Sequence, residues 1–190
     1  MKNKFTTGLT HHFVDTTGNL AASVPIIAGL ELLVGISEDI SLKTRGVGIV
    51  TGYLGAQKLT RLIRDYSRKR KGITTKSKES KQHNHDRLNA AILTGISCFP
   101  SYWIAEQFSD QDVSSLKMIY GTLARTGFAY VAGGISTYSE HAYRDLLCED
   151  KHERISSEIY NASRSQRLSL VAALTITSIA LTSGIYSLHH

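Results

Sequence analysis

The sequence predicts an all-α fold, a polytopic membrane bundle of four to five transmembrane helices, and three observations carry that reading. Five stretches of helix length are nearly free of charge: 17–37, 46–63, 88–105, 118–138 and 168–188. Runs near twenty residues far exceed ordinary strands and show no strict alternation, so they read as helices. The last run, LSLVAALTITSIALTSGIYSL, carries no charge over 21 residues, which at about 1.5 Å per residue matches the roughly 30 Å hydrocarbon core of a bilayer. Between the second and third runs, ten of the chain's 22 Lys and Arg residues crowd into 61–87. A basic block between apolar helices is the signature of a cytoplasmic loop. Composition is neutral on the point: 42% of the residues are apolar, below the average for soluble proteins.

Taken in order, the 190 residues form a single membrane domain with a first hairpin (1–66), a basic cytoplasmic linker (67–87), a second hairpin (88–148), and an inner linker with a fifth helix (149–190). The start MKNKFTTGLTHHFVDTTGN has a signal peptide's outline, but Asp15 and Glu31 interrupt the pattern, so the first run reads as a retained span. Sidedness follows from charge. With a cytoplasmic amino terminus and five spans, the inner segments carry 18 of the 22 cations, the outer loops carry Lys43, Arg45 and Lys117, and Arg125 lies within a span. This imbalance fits the positive-inside rule, and it puts the carboxyl terminus outside. The two hairpins read as a parallel repeat. Glu31, Ser41-Leu42 and Arg64-Asp65 in the first match Glu106, Ser115-Leu116 and Arg144-Asp145 in the second.

Charge inside a span needs a partner or a purpose, so Glu31 and Arg125 are the first candidates for a substrate site. By helix rise each lies about 9 to 10 Å below the outer end of its span. They suit a buried pair, or the two ends of a zwitterion held between them. Arg45, opening the second span, is the alternative partner for Glu31. Asp15, just before the first span, reads either as a helix cap or as a proton-coupling carboxylate. Pro25 and Pro100 are expected to kink the first and third spans, and Gly52 and Gly55 to allow close packing of the second. Tyr102 and Trp103 fit an interfacial aromatic belt.

Other chemistries are weakly represented. His11-His12 and His83-Asn84-His85 lack further ligands and read as solvated histidines, so no metal is expected. No cofactor motif or catalytic constellation is present, and the chain is not expected to be an enzyme. Cys98 falls in a span and Cys148 in an inner loop, which implies no extracellular disulfide framework. Asn161-Ala-Ser163 matches a glycosylation acceptor but lies on the inner side. The basic block has Tyr66 as its one stacking residue, which argues against nucleic acid. Its other reading is contact with anionic membrane lipids, which makes a non-transporting scaffold or lipid-binding protein the competing class.

The first hairpin resembles the small L-alanine exporter family of bacterial inner membranes. The resemblance rests on Val14-Asp15-Thr16, Glu31, Arg45 and Arg64-Asp65, with Pro100, Tyr102, Gly134 and Tyr138 in the second hairpin, and covers about 11–148. It implies a secondary exporter of L-alanine or a similarly small amino acid, with Glu31 and Arg45 or Arg125 supplying the charges and Gly52, Gly55 and Gly121 leaving room. So few short helices hardly enclose a passage, so a homo-oligomer, most simply a dimer, is expected. The chain departs from the family in its fifth span, its long basic linker, Lys58 where a proline is expected, and Arg125, which has no counterpart.

Overall fold

The computed structural model describes residues 4–74, 77–148 and 155–188. Lys2, Lys76, Lys151, Arg154 and the terminal His189-His190 lie outside them. The fold is all-α among the described residues: α1 (Lys4–Leu33), α2 (Glu38–Thr51), a π-helical turn (Gly52–Ala56), α3 (Gln57–Arg70), α4 (Glu79–Gln107), α5 (Ser115–Leu147), a short α6 (Ser157–Tyr160) and α7 (Arg164–Ser187).

Each boundary has a local cause. α1 ends in a Schellman turn, with Gly35 at φ +82°, Ile36 N–H donating to the Glu31 carbonyl at 2.9 Å and Gly35 N–H to that of Leu32 at 3.0 Å. The first expected span therefore stops short of 37. At its other end the helix reaches back to Lys4, ahead of the expected start at 17. α3 ends in the same way, with Gly72 at φ +61° and Ile73 N–H on the Arg68 carbonyl at 2.9 Å. α7 opens with a capping box, Ser163 Oγ accepting from Gln166 N–H while Gln166 Oε1 accepts from Ser163 N–H at 3.0 Å.

Three helical segments are long and apolar enough to cross a membrane: Gly8–Leu33, Ser80–Gln107 and Arg164–Ser187. They take up the first, third and fifth expected runs. The second run, 46–63, is broken at the π-helical turn, where Gly55 takes φ +122°. The fourth lies in α5, where Arg125 and several Gly, Thr and Tyr residues dilute its hydrophobicity. The expected linker 67–87 is largely helical, since α3 runs to Arg70 and α4 starts at Glu79. Pro25 and Pro100 lie inside α1 and α4, which continue through them. On α7, Ile176, Ile179 and Leu181 are all more than half exposed, as a lipid-facing helix requires.

The chain divides into two compact units. One contains Ile27–Gly134; the other joins the chain up to Ile26 with Ile135–Leu188. The first is built on Ile36, Ile40, Cys98, Tyr102 and Met118, and the second on Val14, Tyr143 and Cys148 with Leu147 and Val171 against them.

Candidate functional site

In the Ile27–Gly134 unit, the candidate site forms around Glu31, whose side chain is fully buried. Glu31 lies in the last turn of α1, where the helix dipole is negative and disfavours a carboxylate. Cations must compensate. The four-residue turn after α1 brings α2 back beside it, and Ser41 and Arg45, one helical turn apart, present the same face to Glu31. Arg45 Nη2 donates to Glu31 Oε1, and Ser41 Oγ donates to Oε2 at 2.7 Å. From α4, Tyr102 donates its hydroxyl to Oε1 at 2.7 Å. From α5, Arg125 Nη1 reaches the same oxygen at 3.3 Å and stacks over the Tyr102 ring, 5.7 Å from its centroid. Gly121, one turn before Arg125, makes the room: a Cβ there would lie 2.7 Å from the Tyr102 hydroxyl oxygen.

The sequence leaves Arg45 and Arg125 as alternative partners of Glu31; the structure brings in both. It also corrects two expectations. Tyr102 is fully buried and bonded to Glu31, so it is not part of an interfacial belt, whereas its neighbour Trp103 is exposed. The space at Gly121 is filled by Tyr102, and Gly55 serves a backbone conformation with nothing near its missing Cβ. Glu31 receives four donors, three of them on Oε1 and Ser41 alone on Oε2, so Oε2 is the oxygen that keeps acceptor capacity.

The charge does not balance. Two guanidinium groups face one carboxylate, and Arg45 Nη1 and Arg125 Nε are buried N–H donors without a partner. An unpaired buried donor on a cation is costly, so a small anion is the chemical complement of this place.

Asp15, in the other unit, is not a helix cap. It lies about three turns inside α1, buried, with both carboxylate oxygens taken by Arg144 Nε and Nη2 from α5. Beside it, Ser139 Oγ donates to the Gly18 carbonyl at 2.6 Å and Asn19 Nδ2 to Glu140 at 3.1 Å. In the Ile27–Gly134 unit, Arg68 grips Asp86 with the same fork, its Nε donating at 2.8 Å. His85 is buried in α4, 3.0 Å from Ser67 Oγ, so it is not a solvated loop residue. Among the described residues no group of three or more His, Cys, Asp or Glu is placed to hold a metal.

These contacts reset the internal repeat. Glu31 and Tyr102 are 71 residues apart, as are Asp15 and Asp86, while Arg68 and Arg144 share a second offset with Arg45 and Gly121. The match of Arg64-Asp65 to Arg144-Asp145 fails physically, because Asp65 is exposed and Asp145 is fully buried. Glu106 likewise accepts from the Val113 backbone N–H at 2.8 Å, unlike Glu31. Comparison with known family models, characterised proteins and solved structures finds no match to this chain.

Proposed function

We propose that this protein is a secondary exporter of L-alanine or a similarly small amino acid, held in the cell inner membrane by four or five spans, with Arg45 and Arg125 taking the cargo's carboxylate. The observation that carries the proposal is the excess positive charge beside Glu31, with one unsatisfied N–H on each arginine. An α-carboxylate supplies one negative charge and enough acceptor positions for both donors. Glu31 is then a positioning residue that holds the two guanidinium groups. The resemblance of 11–148 to the exporter family supports the same cargo class, and the basic inner segments support a cytoplasmic amino terminus. A fifth span places the carboxyl terminus outside. A dimer supplies the walls that so few helices lack.

The test is efflux from cells loaded with an alanine-containing dipeptide. Cells making the parent protein are expected to hold less internal alanine than empty cells. Arg125→Met, present in the membrane at the parental level, is expected to match empty cells, because Glu31 and Arg45 still pair but one of the two donors is gone. A parent indistinguishable from empty cells, or an Arg125→Met variant that exports normally, overturns the proposal. The first of these outcomes would favour a membrane protein that moves no amino acid.

A further inference from the structure

α3 carries seven charged residues in fourteen, Lys58, Arg61, Arg64, Asp65, Arg68, Lys69 and Arg70, so it cannot lie in hydrocarbon, where each costs roughly 2.5 to 3.5 kcal/mol on insertion scales. Yet its apolar residues are not covered by protein. Leu59, Leu62 and Tyr66 are more than half exposed and Ile63 is 38% exposed. Their spacing of i, i+3, i+4 and i+7 puts them on one stripe about 100° wide. Arg68, which holds Asp86 of α4, lies on the opposite side of the helix, and Ser67, beside His85, lies at the edge of the stripe. An apolar edge opposite the bond to Asp86, with Lys58 and Lys69 along one flank and Arg70 in line with it one turn beyond Tyr66, needs an environment that is oily on one side and anionic beside it.

The break before α3 supplies the geometry. From Gly46 to Gln57 the chain carries no charged residue, so the apolar sequence ends at this break. The backbone leaves helical geometry at Gly55, φ +122°, just before the charged residues of α3 begin. Only glycine takes that conformation without strain. α3 then closes at Gly72, with Arg68, Lys69 and Arg70 in its last turn.

We propose that α3 is an interfacial helix lying along an anionic lipid surface, with Leu59, Leu62, Ile63 and Tyr66 at the acyl boundary and Lys58, Lys69, Arg70 and Lys71 on headgroup phosphates. All four of these cations are exposed. Nucleic acid offers nothing to the apolar stripe, and a second copy of the same face would bring like charges together. The surface is independent of what the Glu31 site carries.

The test uses the full-length protein in vesicles, with Trp103→Phe and Tyr66→Trp making one indole report on α3. Lipids brominated in their chains quench an indole that touches them. Phosphatidylcholine and phosphatidylglycerol are compared as the brominated species. The expected result is quenching by both, with phosphatidylglycerol preferred at least about tenfold, since each cation near an anionic surface contributes on the order of 1 kcal/mol. Adding Lys58→Gln, Lys69→Gln, Arg70→Gln and Lys71→Gln should bring the preference to within about twofold while quenching persists. Absence of quenching by either lipid overturns the interfacial placement, and includes the case of a protein covering the stripe. Equal quenching by both lipids before and after the four substitutions overturns the headgroup assignment.

Discussion

Glu31 shares its carboxylate between Arg45 and Arg125, whereas Asp15 and Asp86 each hold one guanidinium, those of Arg144 and Arg68. In the second arrangement each carboxylate meets one guanidinium through a forked pair of hydrogen bonds. Such pairs fix which helices pack and ask for nothing more. The first leaves a positive charge and two N–H groups over. The repeat relates the two forks to each other, Asp86 standing 71 residues after Asp15, and at the same offset it sets Tyr102 against Glu31. Both halves keep the Asp–Arg fork. Only the first keeps the carboxylate and its arginine, while the second has Tyr102 and Gly121 in their positions. Losing that symmetry makes one charged site instead of two, and Arg125 enters it from the second hairpin.

The sharpest way to break this contrast is Glu31→Gln. It strands two buried cations where the parent strands one charge. Removing one partner of a buried ion pair costs about 3 to 5 kcal/mol, a large part of a typical total stability of 5 to 15 kcal/mol. The variant is expected to disappear from the membrane fraction or to melt far below the parent in detergent. Adding Arg125→Met should recover part of the loss, because one stranded cation is removed. A double variant no more stable than Glu31→Gln would mean that Arg125 is not part of the imbalance.

A middle-sized effect separates the two forks. Asp15 and Arg144 are 3% and 14% exposed, while Asp86 and Arg68 are 9% and 26% exposed. Water therefore screens the second pair more. Asp15→Asn is expected to cost about 3 kcal/mol and Asp86→Asn about 1 to 2 kcal/mol, read from thermal unfolding in the same detergent. Equal losses would show that burial does not set the difference.

Much of this architecture is legible in the sequence, and the rest is hidden for identifiable reasons. Charge-free runs declare α1, α4 and α7, because only a bilayer or a large core tolerates them. Glu31, Arg45 and Arg125 stand out since charge in such runs is rare. The break at Gly55 is not legible, because Gly-Tyr-Leu-Gly-Ala is simply more apolar sequence and positive φ leaves no mark on hydrophobicity. Asp15 looks like a cap because the expected span begins just after it, yet α1 continues back to Lys4. Tyr102 beside Trp103 near a span's end mimics a belt, and only the 71-residue offset to Glu31 signals its role.

The smallest effect concerns the turn ends of the Ile27–Gly134 unit, where Asp39 accepts from Lys43 Nζ at 2.7 Å and from Ser109 Oγ. The Lys43 bond, with help from Ser109, holds the Asp39 carboxyl below its ordinary value. A carboxyl whose folded pKa is depressed contributes stability above its unfolded pKa of roughly 3.9, and loses it as the pH falls through the folded value. The stability difference between the parent and Asp39→Asn should thus be constant from neutral pH down to about pH 5 and shrink towards zero as the pH falls below the ordinary aspartate range. Asp39 is solvent-facing, so the difference should also shrink in high salt, unlike that of Asp15→Asn. A difference that grew on acidification would mean the carboxyl is disfavoured where it stands, and the bonds to Lys43 and Ser109 would not be what holds this turn.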